Sequence, residues 1–94
     1  MNGAQVMASK LVMPKWGMGL TEGTIAKWLK AEGDFVTEGE PVVEIETAKA
    51  VEAASATESG RLMRILVPEG QTVETFTTLA VIAADGEDYS ELLD

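Results

Sequence analysis

The residue best placed to do chemistry in this sequence is Lys49, which lies between Ala48 and Ala50. Residues 41–45 alternate in polarity toward it, and residues 50–54 resume an apolar pattern after it. This pattern predicts a β-hairpin with the lysine at its tip. Its small neighbours leave the amine uncovered. The segment therefore favours a domain that presents one lysine for modification by another protein.

The rest of the chain offers little other chemistry. Its 94 residues include no cysteine and no histidine, which excludes disulfides, thiol nucleophiles, Ser-His-Asp triads and the usual zinc sites. Glu38, Glu40, Glu44 and Glu46 lie close together, but no apolar pocket of the kind that catalytic carboxylates need is predicted around them. Their spacing also differs from that of a calcium-binding loop. We therefore expect no catalytic residue and no metal site.

The charge and hydropathy of the chain restrict its partners and location. A net charge of −9 makes the surface repel nucleic acid and anionic membranes. No apolar run approaches the ~20 residues of a membrane-spanning helix, and residues 1–13 lack the pattern of a secretion signal. We expect no nucleic acid or membrane partner and a cytoplasmic location, with an organelle matrix as the alternative. The acidic surface favours solubility and, secondarily, encounter with a basic partner.

An internal repeat organises the chain, since residues 23–46 align with residues 60–83 without a gap. Gly23 falls on Gly60, the Glu-Gly pair at 32–33 falls on the pair at 69–70, and apolar positions coincide along the match. The identities lie at turn glycines and expected core positions. They predict two similar halves related by a pseudo-twofold axis. The alternative is a chance likeness between two ordinary hairpins.

Eight short apolar segments predict strands, because glycine and proline interrupt the chain too often for helices of average length. The predicted strands are Ser9–Met13, Thr24–Lys30, Phe35–Val36, Val42–Thr47, Ala50–Ala54, Arg61–Val67, Thr72–Val73 and Leu79–Ala84. Close spacing of this kind is typical of an all-β sandwich or flattened barrel. The expected core is Ile25, Leu29, Val36, Val42 or Val43, Ile45, Leu62, Ile65, Leu66, Val73, Leu79 and Ile82.

One folded domain is expected over residues 9–85, because the length suits a single modest core. Residues 1–8 are expected to be a loose leader. Residues 86–94 are expected to be an acidic tail or the start of a linker.

Several segments together resemble the lipoyl domain family. The ETAKA sequence at 46–50 is similar to the family's lipoylation motif, and MPKWGM at 13–18 is similar to its opening segment. The Glu-Gly pair at 22–23 continues that opening segment, and Glu-Gly pairs in the family's turn positions occur at 32–33, 38–39 and 69–70. The resemblance covers about Ser9 to Asp85, which is nearly the whole expected domain.

This resemblance implies a flattened barrel of two four-stranded antiparallel sheets, with lipoic acid in covalent amide linkage to Lys49. The implied partners are a thiamine-diphosphate-dependent decarboxylase or dehydrogenase component, an acyltransferase core, dihydrolipoyl dehydrogenase, and a lipoate ligase or lipoyl transferase. It implies a carrier in a 2-oxo acid or acetoin dehydrogenase complex rather than an enzyme. The family's acyltransferase chemistry uses a histidine, so the catalytic domain is expected to be absent.

Two residues depart from the family pattern. Ala48 stands where aspartate is usual, which is expected to alter recognition by the decarboxylating partner. Phe76 falls on Gly39 in the repeat, which predicts a remodelled second turn.

Three other functions stay open for this chain. A biotin carrier domain has the same architecture, although its lysine normally lies between two methionines. A small acidic adaptor would dock through a sheet edge or through Trp16. An unmodified relative would serve as a structural spacer. The resemblance to lipoyl domains implies that the loop that contains Trp16 lies beside the lysine hairpin.

Overall fold

The computed structural model describes residues 8–84. They form eight β-strands and no helix: β1 (Ser9–Val12), β2 (Glu22–Trp28), β3 (Phe35–Val36), β4 (Pro41–Glu46), β5 (Val51–Ser55), β6 (Gly60–Ile65), β7 (Thr72–Glu74) and β8 (Thr78–Ala83). The predicted all-β class is confirmed, and every predicted strand end lies within two residues of the observed one. Between residues 8 and 84, no helix has the length and apolar character needed to span a bilayer. The expected leader, apart from Ala8, and the expected tail lie outside the described residues.

The eight strands form two antiparallel four-stranded sheets, with the orders β1-β8-β6-β3 and β5-β4-β2-β7. Exchanging each strand of the first half, β1 to β4, with its counterpart in the second half, β5 to β8, converts one order into the other. The predicted pseudo-twofold symmetry is therefore confirmed. Each sheet contains two strands from each half, so the halves are interleaved.

The symmetry extends to single hydrogen bonds between the halves. The Gly33 N–H donates to the Leu62 carbonyl over 2.7 Å, and the Gly70 N–H donates to the Ile25 carbonyl over 2.8 Å. Each of these residues lies 37 positions from its counterpart in the other bond. Both glycines have positive φ, +96° and +91°, which glycine adopts without steric cost. The two aligned turn glycines therefore make equivalent hydrogen bonds, one from the first half to the second and one from the second half to the first.

The Glu-Gly pairs at 32–33 and 69–70 have a second role that sequence reasoning missed. The Glu69 carboxylate accepts a hydrogen bond from the Trp28 N–H over 2.9 Å. Reciprocally, Glu32 accepts one from the Ile65 N–H over 2.8 Å. Each glutamate therefore satisfies a backbone donor at the end of a strand in the opposite half.

A continuous apolar core lies between the sheets, and most of its expected members are buried or half-buried. Both Val42 and Val43 are buried, and Met13 is fully buried although it was not predicted. Leu29 was expected in the core, but this prediction is wrong, since 37% of the residue is exposed. A β-bulge between Ile25 and Lys27 adds a residue to β2 and shifts its alternation. Trp28 packs against the core in place of the next alternating residue.

Gly23 and Gly60 occupy equivalent crowded positions, each against an isoleucine on the neighbouring strand of its own sheet. A Cβ atom on Gly23 would lie 2.7 Å from Ile45 Cγ2 and 2.9 Å from Met13 Sδ. One on Gly60 would lie 3.0 Å from Ile82 Cγ2. These distances leave no room for a side chain, so glycine at both positions permits each strand to pack against its neighbour.

Candidate functional site

Lys49 lies in a short turn between β4 and β5, residues 47–50, which we call the lysine turn. The Thr47 N–H donates to the Ala50 carbonyl over 2.8 Å, and the Thr47 hydroxyl donates to the same oxygen over 3.1 Å. The hydroxyl oxygen also accepts hydrogen bonds from the N–H groups of Lys49, at 3.2 Å, and Ala50, at 3.3 Å. Threonine side chains commonly stabilise turns in this way. One hydroxyl therefore fixes the backbone that carries the lysine.

The Lys49 side chain projects from this turn without a partner in the described part of the chain. The residue is exposed, as are Ala48 and Ala50 beside it. No ion pair or hydrogen bond to its amine occurs among residues 8–84. Three glutamates lie on the flanking strands, but none is within ion-pair distance of the amine: Glu44, Glu46 and Glu52. The amine is therefore free for another molecule to reach.

A half-open groove of about 410 Å³ lies beside the lysine turn. Residues 13–21, which we call the β1–β2 loop, supply one wall, and the end of β4 with the lysine turn supplies the other. Leu20 and Thr21 line it from the loop, while Glu46 and Ala48 line it from the hairpin. The loop is closed on itself by a bridge between Gly17 and Leu20. The expectation that this loop lies beside the lysine hairpin is confirmed.

A second and smaller groove, of about 210 Å³, occupies the equivalent position in the other half. Its lining includes Ser59, Gly60, Arg61 and Ala84, which align with groove residues 22, 23, 24 and 47 in the repeat. The repeated fold therefore generates two related depressions, of which the larger has a presented lysine beside it. The counterpart of Lys49 is Gly86, which lies outside the described residues.

The turn between β7 and β8, residues 75–77, which we call the Phe76 turn, keeps the backbone of its counterpart. Phe76 has a φ of +73°, and Gly39 in the equivalent turn has a φ of +88°. The expectation that phenylalanine would remodel this turn is therefore wrong. The Phe76 N–H donates to the Met13 carbonyl over 2.7 Å, as the Gly39 N–H does to the Ala56 carbonyl over 2.8 Å. These paired hydrogen bonds hold Phe76 in a conformation that suits glycine.

The two tryptophans differ in how their indoles are satisfied. Both are partly buried and pack against the core. The Trp28 Nε1–H donates to the Val67 carbonyl over 2.9 Å, whereas the Trp16 Nε1 atom is buried and has no partner within residues 8–84. Much of the Trp16 ring is therefore buried, which makes this residue less suitable as the docking contact of an adaptor.

An ion pair joins Lys30 to Glu40 over 2.8 Å, at the end of the turn that leads into β4. The hydrogen bond from Lys30 lowers the pKa of Glu40, with a further contribution from the Thr37 N–H, which donates to the same carboxylate over 2.9 Å. The same hydrogen bond to Glu40 raises the pKa of Lys30. Both side chains are partly exposed, so the pair is a local brace for this turn.

Comparison with known proteins identifies the family of the chain. A family model described as "Biotin-requiring enzyme" matches residues 9–82. The chain is 42% identical over 85 residues to the dihydrolipoyllysine-residue acetyltransferase component of the pyruvate dehydrogenase complex from Rickettsia bellii, covering 89% of this chain. It is 38% identical over 82 residues to the corresponding component of the acetoin cleaving system from Pseudomonas putida, covering 87% of this chain. The chain spans about a fifth of the length of these relatives, 20% and 22%.

Solved structures show the same fold. The lipoyl domain of the 2-oxoglutarate dehydrogenase complex from Azotobacter vinelandii superposes with a TM-score of 0.62 at 29% identity, covering 81% of this chain and 99% of that one. Urea carboxylase from Kluyveromyces lactis superposes with a TM-score of 0.70 at 31% identity, covering 86% of this chain and 7% of that one. The chain belongs to the biotin/lipoyl domain family. Within it, the chain is a lipoyl domain homologous to those of acyltransferase components of 2-oxo acid and acetoin dehydrogenase complexes.

Proposed function

We propose that this domain carries lipoic acid in amide linkage to Lys49 and shuttles acyl groups between the active sites of a 2-oxo acid or acetoin dehydrogenase complex. The observation that supports the proposal most directly is the exposed lysine at the tip of the β4–β5 hairpin, whose amine has no partner among residues 8–84. The partners are proposed by homology. They are a thiamine-diphosphate-dependent decarboxylase component, an acyltransferase core, dihydrolipoyl dehydrogenase and the ligase or transferase that attaches lipoate.

The residues of the lysine turn suit this cofactor. An exposed primary amine forms an amide with an activated carboxyl group, and Ala48 and Ala50 offer no bulk beside it. The Thr47 hydroxyl holds the two N–H groups that follow, so the lysine backbone is fixed before an enzyme binds it. When attached, lipoic acid would supply a dithiolane able to accept and release an acyl group.

The domain's own contribution is presentation. The sequence contains no histidine and no cysteine, and we propose that the acyl-transfer chemistry belongs to the enzymes that receive the arm. Attachment to a common assembly raises the effective concentration of the carried group at each active site. A fixed hairpin tip aims the arm away from the core, which keeps the cofactor available to successive partners.

Intact-mass spectrometry after incubation with lipoate, ATP and a lipoate ligase tests this function. Wild-type protein should gain one lipoyl group, and Lys49→Arg should gain none because guanidinium is a poor acyl acceptor. Lys27→Arg is the matched control, since Lys27 is also exposed but lies on strand β2. Modification of Lys49→Arg, or no modification of the wild type under conditions that load a known lipoyl domain, would contradict the proposal.

A parallel incubation with biotin and a biotin ligase tests the alternative cofactor. The likeness to urea carboxylase makes this the strongest competing function. We expect no biotinylation, because the alanines beside Lys49 differ from the methionines usual in biotin carriers. A biotin adduct on Lys49 in place of a lipoyl adduct would move the chain to that branch of the family.

A further inference from the structure

The Phe76 turn combines two features that are both unfavourable for an isolated domain. Phe76 adopts a left-handed backbone, φ +73°, and 68% of the residue is exposed. A non-glycine residue in this region is strained by ~1–2 kcal/mol, and the partial burial of the ring offsets only part of that strain. Gly39, in the equivalent turn, avoids the cost. Backbone strain of this kind often marks a functional contact.

The Phe76 turn lies at the same end of the β5-β4-β2-β7 sheet as the lysine turn. In the order β5-β4-β2-β7, strands β4 and β7 lie on either side of β2 and run in the same direction. The end of β4 pairs through Glu46 with Thr24, and the end of β7 pairs through Glu74 with Glu22. Two strand spacings of ~4.8 Å place the two turns about 10 Å apart laterally.

Hydrogen bonds tie the Phe76 turn to the β1–β2 loop that walls the groove beside Lys49. The Phe76 N–H donates to the Met13 carbonyl over 2.7 Å, and the Thr75 N–H donates to the Thr21 carbonyl over 2.9 Å. Thr21 lines that groove. A partner seated over the lysine turn and the groove would therefore meet the Phe76 ring at its margin.

The surface around the ring is acidic. Glu22 and Glu74 are directly opposite each other on neighbouring strands, and both are exposed. Like charges in this register repel, and neither carboxylate forms an ion pair within the described part of the chain. Glu22 and Glu46 line the same groove. Cationic side chains on a partner would relieve the repulsion between the carboxylates.

We propose that Phe76 anchors the domain on the enzyme that delivers acyl groups to the cofactor, by entering an apolar pocket whose rim carries lysine or arginine. This inference rests on the proposed function. An enzyme that attaches the cofactor works at the lysine amine and needs only the lysine turn. An enzyme that acts at the far end of the cofactor arm must also hold the domain beside its active site, and the Phe76 turn, about 10 Å from the lysine turn, offers it an apolar contact. Aromatic residues, phenylalanine among them, are enriched at protein interfaces, where a polar rim surrounds an apolar centre.

Isothermal titration calorimetry of the lipoylated domain with the thiamine-diphosphate decarboxylase component of the same complex tests the proposal. Phe76→Ala should weaken binding about 10-fold, while the rate of lipoate attachment stays unchanged. Phe35→Ala is the matched control, because Phe35 is 56% exposed but lies at the opposite end. Phe35 pairs with Arg61, which pairs with Ala83 at the end of β8. Phe35→Ala should bind like the wild type.

Salt and charge variants test the basic rim. Glu22→Gln and Glu74→Gln should each weaken binding, and raising the salt concentration should reduce their difference from the wild type. Equal affinities of Phe76→Ala and wild type would overturn the anchor, and so would equal losses in Phe76→Ala and Phe35→Ala. A wild-type domain that accepts lipoate but does not bind the component would overturn the docking surface alone. One that does not accept lipoate would overturn the proposed function as well.

Discussion

The left-handed backbone of Phe76 makes a prediction about stability that is separate from its proposed contact. Phe76→Ala and Phe76→Gly remove the same ring, so they share the loss of its burial. About a third of the residue is buried, since 68% is exposed. With ~1.5–3 kcal/mol for a fully buried phenylalanine, that loss is ~0.5–1 kcal/mol in both variants.

The two variants differ in the backbone. Alanine at a φ of +73° keeps a strain of ~1–2 kcal/mol, whereas glycine has none but loses ~0.5–1 kcal/mol more conformational entropy on folding. The mid-range values, ~1.5 and ~0.75 kcal/mol, leave Phe76→Gly more stable than Phe76→Ala by about 0.75 kcal/mol. Urea denaturation measures this gap directly. Thermal melting should show it as about 3–6 °C for a domain of this size.

Gly39, in the equivalent turn, allows the converse substitution, from glycine to alanine, to be tested. It has a φ of +88°, and a Cβ atom there would contact nothing within 4 Å. Gly39→Ala should therefore lose about 1 kcal/mol through backbone strain alone. If Phe76→Ala and Phe76→Gly unfold at the same urea concentration while Gly39→Ala is destabilised, the left-handed assignment of Phe76 is wrong.

Three further predictions concern the ion pair, the tryptophans and the lysine turn. The folded-state pKa of Glu40 is lowered from 4.5, so its contribution to stability is present above that value and is lost as the pH falls through the folded pKa. The pKa of Lys30 is raised from 10.5, so its contribution is present below that value and is lost as the pH rises through the folded pKa. Urea titrations should therefore separate wild type from Glu40→Gln at pH 7 and bring them together in acid; a constant gap would contradict the assignment. Trp28→Phe should lower the free energy of unfolding by ~1 kcal/mol because it removes a hydrogen bond, and Trp16→Phe should lower it less because the Trp16 N–H has no partner within the described residues. Equal decreases for the two variants in urea denaturation would contradict this. Thr47→Val should slow lipoate attachment about 3- to 10-fold and Thr47→Ser should not, as a mass-spectrometric time course would show; equal rates would remove the hydroxyl from the mechanism.

Much of the fold was predictable because the repeat marks equivalent positions. Alignment of Gly23 with Gly60 marked two equivalent positions that prove to be crowded, and the Glu-Gly pairs at 32–33 and 69–70 marked two reciprocal turns. The lysine hairpin followed from apolar alternation on both sides of Lys49. These features are local in sequence, so a single chain displays them.

Other features were not predictable because they depend on pairing between distant strands. The bulge that turns Leu29 outward is defined only by the register of β2 against β4. The hydrogen bond between Glu69 and the Trp28 N–H joins residues from different halves. The backbone of Phe76 was also missed, since phenylalanine alone predicts a different turn, and only its hydrogen bonds to the other half impose the glycine-like one.

The interleaving of strands from both halves has a consequence for when the lysine can be recognised. β4 and β5, which bear the lysine turn, share their sheet with β7, and β8 completes the opposite sheet against β1. A nascent chain that stops before β7 has the ETAKA sequence but neither finished layer. Under the proposed function, the attaching enzyme would therefore meet a completed two-sheet substrate only after synthesis has passed β8.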